Sequence, residues 1–130
     1  MADVTVESAE NMEALFGGLF VRARASLGVS SFGMQVENMP ANHEAYPEHA
    51  HEEDGQEEVY TVLTGSAQLE ADGQKWDLTP GVFARVGPNQ KRKISTGSEP
   101  CSLLAIGGTP GKAYEAPAVT ELGGPVPGAE

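Results

Sequence analysis

Residues 47–58, PEHAHEEDGQEE, place two histidines one residue apart inside a strongly acidic run. In an extended segment, side chains at positions i and i+2 leave the same face, so His49 and His51 can direct both imidazoles at one ion. Neutral imidazole is the commonest metal ligand among protein side chains. The surrounding acids also fit a second interpretation, a solvated loop that holds two incidental histidines.

A third ligand can come from Glu58, the first residue of the segment EVYTVLT. Both faces of this segment are largely apolar and rich in β-branched residues, which predicts a central, buried strand. A carboxylate there is destabilising unless it is paired or bound to a metal. Two histidines and one carboxylate form the ligand set of non-haem Fe(II) sites. Because Zn, Mn and Ni also accept it, the residues do not distinguish among these ions.

The elements that must position these side chains are predicted to be short strands. Glycine occurs 16 times and proline 9 times, and their regular spacing is typical of an all-β sandwich or barrel. Ser8 can cap one short N-terminal helix that ends at Gly17. The pattern favours a double-sheet jelly roll over an immunoglobulin-like sandwich, since the Cys…Trp…Cys spacing is missing. The predicted strands are 19–26, 31–37, 58–64, 66–71, 74–78, 82–86, 91–95 and 102–106.

The length of 130 residues predicts a single domain. We divide it into an N-terminal helix or extension at 1–18, a barrel at 19–108 and an extended C-terminal arm at 109–130. Cys101 is the only cysteine, so an intrachain disulfide cannot form. The net charge of −11 disfavours nucleic acid and anionic membranes as partners. With no signal-peptide pattern or apolar span in the sequence, we expect a soluble, cytoplasmic protein.

The candidate ligands resemble a known motif when they are read together with the strand that follows them. His49, Ala50 and His51, then Glu58 and Gly65, are similar to G-x5-H-x-H-x3,4-E-x6-G, the first motif of the cupins. The resemblance covers roughly residues 31–106. It implies a double-stranded β-helix, or jelly-roll barrel, that holds a divalent metal ion through His49, His51 and Glu58.

The chain departs from the cupin pattern at several positions. Six residues, against the usual three or four, separate His51 from Glu58, and His43 stands at the leading glycine. Of the second motif, G-x5-P-x-G-x2-H-x3-N, only Gly81 is kept, and Arg92 stands at the metal histidine. A guanidinium has no free lone pair, so Arg92 cannot be a ligand. Arg92 can instead bind a substrate carboxylate, or pair with Glu58 in place of a metal.

Two functions of different classes follow from these residues. The first is a metal-dependent enzyme, a dioxygenase or an isomerase, that acts on a small polar or anionic metabolite oriented by Arg92. The second is a metal-free, non-catalytic small-molecule binder in which Arg92 pairs with Glu58. Tyr60 and Gln68 are the remaining candidates to line the pocket. We also expect a homodimer, because small jelly rolls leave sheet edges that pairing can cover. The N-terminal strand and the C-terminal arm are the candidate swapped or clasping elements.

Overall fold

A computed structural model describes residues 2–127 and contains two antiparallel β-sheets. The larger sheet has six strands in the order β1-β2-β3-β9-β4-β7, and the smaller has three in the order β6-β5-β8. This is the predicted all-β jelly roll. The strands are β1 (Ala14–Leu15), β2 (Phe20–Val21), β3 (Gly33–Met39), β4 (Glu57–Gly65), β5 (Ala67–Ala71), β6 (Gln74–Leu78), β7 (Phe83–Val86), β8 (Lys93–Ser95) and β9 (Cys101–Gly108).

Turn chemistry explains why the strands from β4 onward lie where the sequence predicts them. Asp72 and Gly73 have φ values of 50° and 72°, as the tight turn between β5 and β6 requires. Gly65 has φ of 78°, and a Cβ there would lie 1.9 Å from the carbonyl oxygen of Pro100. Glycine is therefore required where the chain leaves β4 and crosses from one sheet to the other.

The short N-terminal helix exists, but it lies elsewhere than predicted. Residues 8–18 form two 3-10 turns, Ala9–Asn11 and Phe16–Gly18, around strand β1, and the side chain of Ser8 caps neither turn. The helix is α1, Ala23–Leu27, which overlaps the predicted strand 19–26, so that strand prediction is wrong beyond Val21. It ends at Gly28, whose φ of 80° suits a left-handed C-cap. Tertiary contacts thus override the local pattern, because β1 and β2 pair with each other and then with β3.

Two buried arginines hold the C-terminal arm against the barrel. Arg22 donates hydrogen bonds to three backbone carbonyls of the arm, those of Val119, Gly124 and Pro125. Arg24 forms an ion pair with Glu121 at 3.0 Å. Both arginines lie in the predicted strand 19–26, whereas in the fold their side chains bind the C-terminal arm.

The barrel interior has an apolar end and a polar end. Residues from both sheets form the apolar core, among them Met39, Val62, Leu69, Ile94 and Leu103. At the other end the inward positions of β3, β4 and β9 carry polar side chains or glycines, which leaves room for a site. Among residues 2–127 no helix has the length and hydropathy needed to cross a membrane.

Candidate metal centre

Backbone pairing between two loop segments brings both histidines to the polar end of the barrel. The N–H of His49 donates to the carbonyl of Arg92 at 3.0 Å, and the N–H of Arg92 donates back to His49 at 2.9 Å. The N–H of His51 donates to the carbonyl of Pro88 at 2.8 Å. This extended pairing puts both imidazoles on the inner face, opposite Glu58 on β4.

The three predicted ligands converge on one point. The Oε1 atom of Glu58 lies 3.0 Å from Nε2 of His51 and 3.5 Å from Nε2 of His49. One ligand atom from each of the three residues lies within 4.8 Å of the other two. Neighbouring ligands of a first-row metal, each about 2.1 Å from the ion, are separated by about 3 Å when they subtend a right angle. The distances of 3.0 Å and 3.5 Å to Glu58 are therefore compatible with coordination of one ion by these three side chains.

Hydrogen bonds at the far side of each ring place a proton on Nδ1. Nδ1 of His49 lies 3.0 Å from the carbonyl oxygen of Pro47, and Nδ1 of His51 lies 3.1 Å from both carboxylate oxygens of Asp54. These oxygens only accept, so Nε2 faces Glu58 with a lone pair when the ring is neutral and with a second proton when the ring is charged. Partners of this type orient metal-ligating histidines. In the chain from 2 to 127, Nε2 of His51 is buried and has no hydrogen-bond partner.

Glu58 is held by two further donors. The hydroxyl of Tyr60 donates to its Oε1 at 2.6 Å, and Nη1 of Arg92 donates to the same atom at 2.9 Å. Arg92 is fully buried at 0% exposure, and its Nη2 donates to the carbonyl of Gly87 at 2.8 Å. Its guanidinium therefore lies behind Glu58, where it donates to protein groups and is too deeply buried to contact a substrate carboxylate.

Charge interactions inside the cluster shift two pKa values. Burial alone raises the pKa of Glu58, but hydrogen bonds from His49 and Tyr60, with the charges of His51 and Arg92, outweigh it and leave that pKa below its ordinary value. The hydrogen bond with the Glu58 carboxylate raises the pKa of His49. A cation is thus favoured between these groups, and either a proton or a metal ion can supply it.

The other two predicted lining residues do not reach the cavity surface. Tyr60 is wholly buried, and its hydroxyl lies 2.6 Å from Oε1 of Glu58 and 3.3 Å from the hydroxyl of Tyr46. Gln68 contacts Asp77 at 3.4 Å on the exposed side of the smaller sheet. Because Ala67 and Leu69 point inward, the alternation of β5 directs Gln68 away from the cluster.

A small cavity of about 250 Å³ opens beside the three ligands. Its wall includes residues that sequence reasoning missed, namely Gln35, Glu37, Tyr46, Gln56 and Tyr114. Burial, together with the charge of Glu58, raises the pKa of Glu37 to about 7. The available signal was the polar residues at 35 and 37, which share the inward face of β3 with the core residue Met39.

Comparison with known proteins agrees with this geometry. A family model described as the cupin domain matches residues 35–107. The chain belongs to the cupin family. No significant match is found among curated proteins.

Solved structures share the cupin fold over much of the chain. A cupin protein from Bacteroides fragilis is 25% identical, with a TM-score of 0.69 over 90% of this chain and 93% of that one. A sugar phosphate isomerase of the cupin superfamily from Silicibacter pomeroyi is 24% identical, with a TM-score of 0.58 over 68% of this chain and 57% of that one. A Cupin 2 conserved barrel domain protein from Salinispora arenicola is 19% identical, with a TM-score of 0.53 over 60% and 63%.

Proposed function

We propose that this cupin binds a divalent metal ion through His49, His51 and Glu58 and uses the adjoining cavity for a small polar ligand. The observation that carries the proposal is the convergence of three potential ligand atoms on one point. Nε2 of His51 and Nε2 of His49 lie 3.0 Å and 3.5 Å from the same carboxylate oxygen of Glu58. Positive charge is needed between these atoms, and a metal ion supplies it when both rings are neutral.

The protein residues around the ion would have two different roles. His49, His51 and Glu58 would hold the metal, while Arg92 and Tyr60 orient the carboxylate from behind. Three protein ligands leave coordination positions open, and a metal of this kind supplies Lewis-acid or dioxygen chemistry. Fe, Mn, Ni and Zn all suit two imidazoles and a carboxylate. We therefore propose a dioxygenase or an isomerase as the enzyme class.

A second candidate is a metal-free, non-catalytic small-molecule binder. It is favoured by the buried ion pair in which Arg92 donates to Glu58 at 2.9 Å, with side-chain exposures of 0% and 9%. A buried carboxylate that already has a cationic partner does not require a metal for stability. In this case a protonated His49, whose pKa is raised by the hydrogen bond with Glu58, would supply the remaining positive charge.

Elemental analysis of untagged protein distinguishes the two candidates. We expect close to one metal ion per chain in the parent and almost none in the His49→Ala/His51→Ala variant. His43→Ala is the matched control, because it removes the third histidine, which lies outside the cluster. Absence of metal from the parent, even after reconstitution with Fe(II), Mn(II), Ni(II) and Zn(II), would contradict the metal proposal and favour the binder.

We also propose that the protein is a homodimer in which residues 3–7 of each copy add to β7 of the other. Strand β7 is an edge of the larger sheet, and exposed apolar side chains lie beside it, including Leu63 and Phe83 at 48% and 71% exposure. The N-terminal segment carries Val4 and Val6, which are 72% and 87% exposed. The cytoplasmic location and the absence of nucleic-acid partners stay predictions from composition.

A further inference from the structure

Glu37 is a half-buried residue whose carboxyl group the metal centre does not use. Its side chain lies on the inner face of β3 and lines the same cavity as His49, His51 and Glu58. In the described chain its Oε2 atom is buried and has no hydrogen-bond partner. A buried acceptor without a donor is unfavourable, so it points to a donor that arrives with a bound molecule.

The rest of the cavity wall is short of positive charge. Gln35, Gln56, Tyr46 and Tyr114 are neutral, and Glu37 and Glu58 are acidic. Within residues 2–127 no lysine or arginine lines this cavity. Arg92 is committed to Glu58 and Gly87, and the other buried arginines hold the C-terminal arm.

The charge inventory distinguishes between classes of ligand. A divalent ion and the Arg92 guanidinium both lie at Glu58, so Glu37 is the carboxylate of the cavity wall that has no lysine or arginine beside it. A carboxylate ligand would bring a third negative group next to Glu37, and like charges at close range disfavour binding. An uncharged molecule with a hydroxyl or amide donor meets no such repulsion and satisfies the free oxygen of Glu37.

We propose that Glu37 selects the ligand: its carboxylate accepts a hydrogen bond from an uncharged, hydroxyl- or amide-bearing molecule and excludes carboxylate ligands. This rests on the proposed function, in which the cavity beside the metal binds a small polar ligand, and narrows the ligand class. It replaces the expectation that Arg92 receives a substrate carboxylate, because that guanidinium is fully buried. The molecule must also be small, since the cavity holds only about 250 Å³.

Titration calorimetry with lactamide and lactate tests the proposal, because these probes share one framework and differ in charge. The Zn(II)-treated protein is used well above pH 7, because the pKa of Glu37 is about 7 without a metal and a nearby cation lowers it. We expect the parent to bind lactamide at least about tenfold more tightly than lactate. Glu37→Gln keeps the size of the side chain. It should weaken the binding of lactamide and strengthen the binding of lactate, so that the two affinities become similar.

Glu57→Gln is the matched control, because it changes net charge equally on an exposed carboxylate that pairs with Arg85. This variant should keep the preference of the parent. A parent that prefers lactate, an unchanged preference in Glu37→Gln, or binding of neither probe would overturn the proposal. Metal analysis of the same samples separates the two proposals. Without a metal the cavity repels lactate more strongly, so the ratio of the two affinities still tests the role of Glu37. Absence of metal would then contradict the metal proposal alone.

Discussion

At the scale of single residues, the site is organised around one carboxylate oxygen. Oε1 of Glu58 accepts bonds from Tyr60 and Arg92 and faces the Nε2 atoms of both histidines. Removal of one partner from a buried ion pair costs about 3–5 kcal/mol, so the position of this oxygen is strongly fixed. The metal-free protein therefore retains a formed site and must balance its charge with protons.

Proton binding gives the metal-free protein a defined pH dependence. The pKa of Glu37 is raised from 4.5 to about 7, and the pKa of His49 is raised above 6.5. In each case the folded state binds the proton more tightly than the unfolded state. The contribution of each group to stability is therefore fully present below its ordinary pKa and is lost as pH rises through the raised pKa. We expect urea denaturation of chelator-treated protein to show a loss of stability as pH rises from 4.5 to about 7.

Isosteric variants identify which carboxyl group causes this loss of stability with rising pH. Glu37→Gln should make it shallower, whereas Glu57→Gln, at an exposed carboxylate, should leave it as in the parent. Stability that rises over the same interval in the metal-free parent would contradict the assignment. Saturation with a metal should oppose the trend, because metal binding requires deprotonated histidines and strengthens with pH.

The sequence identifies only part of this cluster. His49, His51 and Glu58 could be found because their spacing on extended segments reflects a local geometric rule. The sequence places Arg92 near the site, but whether its guanidinium pairs with Glu58 or with a ligand depends on how residues 47–51 pair with 88–92. Glu37 shares a face with Met39 in the sequence, but its position at the site depends on the long-range pairing of β3 with β9.

At the scale of elements, two paired glycines keep the cavity open. Gly33 on β3 lies opposite Gly107 on β9, and Gly107 also lies beside Glu58 on β4. A Cβ at Gly107 would lie 2.5 Å from Oε1 of Gln56 and 3.4 Å from Cγ of Glu58. The strands thus shape the site through the absence of side chains as well as through their presence.

A matched pair of alanine variants tests this role of β9. Gly107→Ala should displace Gln56 and press on Glu58, which lowers metal affinity by about tenfold in a competition titration. Gly108→Ala is one residue further along the strand and its Cβ would have no neighbour within 4 Å, so its affinity should equal that of the parent. Equal affinities for both variants, with circular dichroism showing both folded, would refute the account.

Element prediction succeeded where local chemistry decides and failed where it does not. The strands from β4 to β9 follow turn residues such as Asp72 and Gly73, whose backbone preferences act locally. The N-terminal segment has weak local signals, and its structure is decided by strand pairing with β3 and by contacts of Arg22 with the distant arm. These contacts join residues nearly one hundred positions apart, which no local pattern encodes.

At the scale of the whole molecule, the larger sheet ends in an uncovered edge. Among the described residues 2–127, strand β7 pairs with β4 alone, and Val59, Leu63 and Phe83 are exposed on the adjoining face. An open apolar edge is a site for pairing with another chain. The N-terminal segment 2–8 joins the opposite edge of the sheet through β1 and carries the exposed side chains of Val4 and Val6.

Native mass spectrometry at micromolar concentration should therefore show a dimer. Val4→Asp/Val6→Asp, on the donated segment, and Phe83→Asp, on the receiving edge, should each give monomers, because a charge at either place must be buried in the added strand. Leu122→Asp is the control, since it puts the same charge on an exposed apolar side chain of the C-terminal arm. Monomers from Leu122→Asp alone would assign the contact to the arm, and a monomeric parent would refute the dimer.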